Sequence, residues 1–362
     1  MVSLESKDAL LQLVRLGIGT LKDAKIPKDI DWEAIEALAE RHGLLGVVVD
    51  GVQRLPENSR PPQLIWLRWI GKAMQNEAQY DVQQKASAEL AQLFHNNGIR
   101  TYVLKGEVVA ECYPKPSCRL SADFDCFLLN ENENENNVWE NGNQVIENAG
   151  FEVKRNFYKN STFLLPGLTV ENHRFLTPFR GNKRLKSLEH LLQRLINENH
   201  NENENRFDGT WLYHPPVMVS ALFLIEHAYS HFLHDGLNWR YVLDWVMFSQ
   251  KHKAEIDWSV FDALVDDFGF RRFYDSYCRL GKYLIGEIQD PSLTFQDRKM
   301  LADVWSEKKK HKSDSGFKGK MNLAANTWNA RRKYRHFSPI SMPRALWIQV
   351  KGYLFDKNPK LN

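Results

Sequence analysis

Apolar residues recur every three or four positions across residues 9–21, 32–42 and 64–94, which predicts that the first hundred residues are helical throughout. Asp31, with Glu33 in the turn that follows it, is placed to cap the second of these helices. The pattern changes at Gly98. Residues 100–104 form a short β-prone run, 105–113 have room for a turn or two of helix, and 123–129 is an apolar run broken only by carboxylates. Residues 138–149 return to helical spacing and stop at Gly150, a good C-cap. Residues 151–157, 161–165 and 168–175 then read as consecutive strands, the last two joined as a hairpin through Pro166 and Gly167. From 215 to 286 the spacing is helical again and rich in aromatics. The class this predicts is α+β, a small mixed sheet with helices. The expected divisions are an N-terminal helical region over 1–95, a core over 96–180, a C-terminal helical domain over 183–300 and a tail over 301–362.

Composition narrows the picture. The 362 residues are 43% hydrophobic and 12% aromatic, enough for substantial cores. Two inserts, 130–137 and 197–205, largely alternate Asn with Glu, cannot bury a face and are expected to be solvated loops. No stretch reaches the roughly 18 apolar residues of a membrane span, and residues 1–8 lack the order of a signal peptide. Cys112, Cys118, Cys126 and Cys278 have neither metal-site nor disulfide-scaffold spacing, so a cytoplasmic protein with reduced thiols is expected. The net charge of +3 is unevenly placed: residues 301–362 hold 14 Lys/Arg against 4 Asp/Glu.

The candidate chemistry lies in the core. In a strand, side chains two apart point the same way, so Asp123 and Asp125 would share one face while Phe124, Cys126 and Leu128 take the other. Two adjacent carboxylates repel unless a cation sits between them, and hard oxygen ligands suit Mg²⁺ or Mn²⁺. The alternative is an edge-strand face with two solvated aspartates. A third carboxylate, Glu171, lies in the run 168–173, which could pair beside the first strand. Three acidic groups from neighbouring strands are what two-metal phosphoryl transfer needs. Lys105 reads either as a phosphate-neutralising cation or as a solvated loop lysine, and Arg119 as a phosphate contact or a structural ion pair. Ser121 could donate a hydroxyl to phosphate or serve as an ordinary turn residue.

The segment Leu104-Lys105-Gly106, the tyrosine at 113, Arg119 four residues before Asp123, and the D-hydrophobic-D-hydrophobic strand together resemble the uncharacterised bacterial nucleotidyltransferase family of the DNA polymerase β-like superfamily. The likeness extends to Asp31-Trp32 with 39–43, to Val170-Glu171-Asn172-His173, and to 238–244 with Asp257-Trp258, covering roughly 30–265. It implies a polymerase β-like nucleotidyltransferase core with Asp123 and Asp125 as metal ligands and Glu171 as the third carboxylate, a ligand and base for the acceptor hydroxyl. Lys105 and Gly106 stand where the wider superfamily has a Gly-Ser turn holding the triphosphate; the serine hydroxyl is lost there and a lysine charge gained. The implied reaction transfers a nucleoside monophosphate from a nucleoside triphosphate to a hydroxyl acceptor.

Other features have two readings each. His227 and His231 share a helix face, but Glu226 precedes rather than follows the first histidine, so a packed histidine pair is favoured over zinc. Arg240 and Asp244 are spaced for an intrahelical ion pair, although the resemblance would let Arg240 reach the nucleotide. In the basic tail, Arg331, Arg332, Lys333 and Arg335 alternate with Trp328, Tyr334 and Trp347, which suits either a solvated face or contact with an RNA acceptor. Rival functions are a non-catalytic nucleotide- or partner-binding module and a tRNA-modifying toxin.

Overall fold

The first hundred residues form four helices rather than three: α1 (Leu4–Ile18), α2 (Trp32–His42), α3 (Leu45–Gln53) and α4 (Gln63–His95). These belong to a computed structural model that describes residues 3–119, 121–130, 137–156, 158–199, 205–306 and 330–355. Ser3 and Asp31 cap α1 and α2, Asp31 accepting the Ala34 N–H at 2.9 Å. The helix α3 has no polar stripe to betray its period, because Leu45, Val47, Val48, Val49 and Val52 are all buried. It exists because α1 lies directly on it: a Cβ on Gly51 would come within 2.0 Å of Leu13 O. Most of both Asn/Glu inserts, the lysine-rich stretch 308–320 and Trp328 lie outside the described residues.

Among the described residues the core sheet has six strands in the order β3-β4-β5-β2-β1-β6. They are β1 (Ile99–Val103), β2 (Phe124–Asn130), β3 (Val153–Asn156), β4 (Asn160–Leu165), β5 (Leu168–His173) and β6 (Leu212–Tyr213). The hairpin β4–β5 turns at Pro166-Gly167 as its sequence predicts, and β5 lies parallel to β2 with Asp125 opposite Glu171 and Phe127 opposite His173. Strand β6, two residues long, joins the edge parallel to β1 and is too short to show alternation. Between β1 and β2 comes α5 (Glu107–Ala110), and after β2 comes α6 (Val138–Asn148). Helix α6 packs on the Leu128 side of the sheet, where a Cβ on Gly142 would collide with Leu128 Cδ1 at 2.2 Å. Asp125 and Phe127 therefore face the other way, towards the C-terminal helices.

Those helices are α7 (Lys183–Glu198), α8 (Val217–His234), α9 (Trp239–Lys251), α10 (Trp258–Asp267), α11 (Arg271–Ile285) and α12 (Phe295–Trp305). Helix α1 is tied to the end of α11: Arg15 Nε donates to Leu284 O at 2.8 Å and its Nη2 to Tyr283 O at 2.7 Å, adding donors to the carbonyls of the last turn of α11. Residues 330–355 add α13 (Arg331–Phe337) and α14 (Met342–Phe355). Their Tyr334, Phe337, Met342 and Ala345 join the hydrophobic core, so this part of the basic tail is folded against the body. The tyrosine proposed for base stacking, Tyr334, is only 4% exposed and is spent on packing instead. No helix among the described residues is long and apolar enough to cross a membrane.

Candidate active site

Strands β2 and β5 build the centre of the site. Their parallel register puts Asp125 beside Glu171, and the two-residue repeat of β5 adds His173 on the same face. His173 Nε2 donates to Asp125 Oδ1 at 2.9 Å and lies 3.6 Å from Glu171 Oε2, which also accepts from Asn160 Nδ2 at 2.9 Å. Asp125 is 1% exposed. Its Oδ2 has no well-aligned hydrogen bond, although Lys105 Nζ stands 3.1 Å away. Burial works against the charged carboxylate, but the attraction of Lys105 and His173 outweighs it and holds Asp125 below the usual carboxylate range. The same ion pair keeps Lys105 charged against its own desolvation, with Asp123 adding to the pull.

The Lys105 ammonium also meets His227 Nε2 at 3.3 Å. Burial first, and then the neighbouring Lys105 charge, push His227 well down, so its imidazole is neutral and can accept from the ammonium. His231 stacks on Tyr241 at 5.0 Å, and the two histidine rings lie 4.5 Å apart in edge contact. Neither belongs to the one group of metal-ligating side chains found among the described residues. A cleft of about 180 Å³ opens here, with Lys105, Ser121, Asp123 and Arg119 on the sheet side and His227, His231, Arg240 and Tyr241 on the helix side.

Asp123 stands apart from Asp125. Strand β2 begins at Phe124, so the alternation expected to align the two aspartates does not reach Asp123. The preceding turn is held by Ser121 Oγ donating to Asp123 O at 3.0 Å. The ligating atoms that gather within 4.8 Å of one another are those of Asp125, Glu171 and His173, while Asp123 lines the cleft. Gly106 follows Lys105 at φ 59°, ψ −105°, a conformation that strains any residue with a Cβ. Behind it Glu107 accepts from Ser87 Oγ at 3.0 Å, and burial pushes its carboxyl up to about 8.

Arg119 forms a two-point pair with Asp244: Nε to Oδ1 at 3.0 Å and Nη2 to Oδ2 at 2.9 Å. Tyr113 donates to the same Oδ1 at 2.7 Å. All three side chains are buried, so this cluster locks the β1–β2 connection to α9. The spacing of Arg240 and Asp244 suggested each other as partners; the partner of Asp244 is instead 125 positions away. Arg240 lies at the cleft with its guanidinium 5.7 Å from the Tyr241 ring.

The residue that sequence reasoning passed over is His173. Its signal was available in the Glu-x-His spacing of β5, which places a carboxylate and an imidazole on one strand face. The cluster fits a divalent ion in its donors: two carboxylates and an imidazole, with one buried carboxylate oxygen lacking a hydrogen bond.

The sequence profile of a family described as uncharacterised nucleotidyltransferase matches residues 28–286. The chain belongs to that family. It is a nucleotidyl-transfer enzyme with an α+β fold, as the motifs around Lys105, Asp125 and Glu171 implied. The matched span takes in every strand and the helices α2 to α11. No curated protein and no solved structure matches the chain.

Proposed function

We propose that this nucleotidyltransferase moves a nucleoside monophosphate from a nucleoside triphosphate to a hydroxyl acceptor and releases pyrophosphate. The observation that carries the reading is the convergence of Asp125, Glu171 and His173 on one sheet face, with the Lys105 ammonium 3.1 Å from Asp125 and lining the cleft. Asp125, Glu171 and His173 would hold one divalent ion, Mg²⁺ or Mn²⁺, with Asp123 close enough along the chain to serve a second. Such ions neutralise phosphate charge and lower the pKa of a bound hydroxyl. Lys105 is charged, nearly buried and aimed at the carboxylates; it leaves Asp125 for the triphosphate when that carboxylate gains another cation. Ser121 Oγ and Arg240 extend the polar surface along the cleft.

In the transfer itself the acceptor oxygen forms a bond to the α-phosphorus as the bridge to the β-phosphate breaks, and the hydroxyl proton passes to Glu171. Half-exposed Glu171 is better placed than buried Asp125 to release that proton to water. Arg119 serves the reaction by positioning, since Asp244 occupies the edge of its guanidinium.

Incubation with each α-labelled nucleoside triphosphate, Mg²⁺ or Mn²⁺, and a mixture of RNAs, proteins and small alcohols tests the reading. Label is expected in one acceptor class and is expected to fall at least about a hundredfold in Asp125→Asn. Binding of triphosphate without transfer, or equal transfer by Asp125→Asn, would instead make the protein a nucleotide-binding module. An RNA acceptor is favoured by the exposed Arg331, Arg332 and Arg335 of α13, which border an open groove with Arg272. Its affinity for labelled RNA should fall steeply with salt.

A further inference from the structure

Helix α8 has two working faces. One carries Leu224, His227 and His231 into the cleft. The other carries Glu226, Tyr229, Ser230 and Leu233 into a separate cavity of about 260 Å³, closed by Phe270 of the loop before α11 and by Tyr334 and Ile340 of the C-terminal segment. The lining is mainly apolar, yet Glu226 is 3% exposed and its carboxyl makes no hydrogen bond or ion pair among the described residues. The carboxyl oxygens are not sealed off from the cavity, so the hydroxyl or amide of a ligand can reach them.

We infer that this cavity is a second ligand site, taking a small, uncharged, mainly apolar molecule with one hydroxyl or amide group that exchanges hydrogen bonds with the Glu226 carboxyl. Its size suits a ring with a short polar arm, since a cavity of about 150 Å³ already holds benzene. Burial pushes Glu226 up to about 8, with Lys159 pulling the other way and Glu189 adding to the push. The carboxyl is therefore protonated at neutral pH and both donates and accepts. Arg180 and Arg184 on the wall disfavour a cationic ligand. His234, also on the wall, is held neutral by burial, and Glu189, raised to about 7, is tied to the N–H groups of Leu176 and Thr177.

The full-length protein is titrated with 2-phenylethanol, ethylbenzene and phenylacetate by calorimetry and ligand-observed NMR. Ethylbenzene is expected to weaken about tenfold between pH 7 and pH 9, as the carboxyl ionises through about 8 and an apolar group cannot replace its hydration, whereas the alcohol, whose hydroxyl donates to the carboxylate, keeps its affinity. Glu226→Gln keeps the binding and loses this pH dependence, which separates it from the titration of Glu189. Glu226→Leu shifts the affinity ratio of alcohol to ethylbenzene about tenfold towards ethylbenzene. Ser230→Phe fills the cavity and abolishes both. Unfolding midpoints are measured to check that each variant is folded, and the native pH profile tests the assignment without them. Absence of binding to the native protein, tighter binding of phenylacetate than of the alcohol, or unchanged binding in folded Ser230→Phe would overturn the assignment.

Discussion

At the scale of single residues the site depends on where charge is left uncompensated. Asp125 sits at 1% exposure with one oxygen served by His173 and the other only approached by Lys105, so this is where a divalent ion gains most. An imidazole in the donor set favours Mn²⁺ over Mg²⁺, the harder and stricter oxygen binder. His173→Gln is therefore expected to weaken Mn²⁺ at least about tenfold in calorimetry and to lower Mn²⁺-supported transfer more than Mg²⁺-supported transfer. An unchanged metal affinity would remove His173 from the ligand set. Asp123, by contrast, owes its place to the turn before β2, and the D-x-D spacing alone did not reveal that the strand begins one residue after it. Spacing encodes periodicity only where the periodic element has already started.

At the scale of elements, buried ion pairs join segments that are distant in the chain. Asp244 of α9 holds Arg119 of the β1–β2 connection, both near 5% side-chain exposure. Asp244→Asn strips the compensation from a buried guanidinium and is expected to cost about 3–5 kcal/mol in denaturant unfolding. The triple substitution Tyr113→Phe, Arg119→Met, Asp244→Leu, which removes the whole polar cluster, should recover most of that stability, leaving any loss of transfer as the measure of positioning. A more exposed joint ties α2 to α4, where Arg68 and Lys72 grip the buried Glu36 from its solvent side. Burial alone would raise the Glu36 pKa, but the hydrogen bonds from Arg68 and Lys72 win and bring it down from 4.5 to about 2. A carboxyl depressed in the folded state contributes stability above its unfolded pKa and loses it as pH falls through the folded value. Thermal melts should thus steepen in pH dependence between 4.5 and about 2, and Glu36→Gln should flatten that limb by about 1–2 kcal/mol, a figure discounted for the exposure of the two cations. Neither pairing is visible in sequence, since only i, i+4 neighbours announce themselves there.

For the whole molecule, the C-terminal segment is structural as well as basic. Truncation after Ser306 removes Tyr334, Phe337 and Met342 from the core, and the Lys333 bond to Phe232 O at 2.6 Å with them. Stability should fall by about 1.5–3 kcal/mol for each of Phe337 and Met342, lowering the unfolding midpoint, and dye binding to apolar surface should rise. A truncated protein as stable as the full chain would refute that role. The sequence by itself determined the α+β class, most helices, the β4–β5 hairpin and the carboxylate-bearing strands, because each follows from local periodicity and turn chemistry that neighbours in the chain settle among themselves. Tertiary structure alone decided the register that sets Asp125 beside Glu171 and His173, the helix α3 with no polar face, the strand β6, and the choice of Arg119 for Asp244. These follow from burial shared between distant segments, where a charge or a methyl group takes its partner from whatever the packed fold brings within a few ångströms, and chain spacing carries no record of that distance.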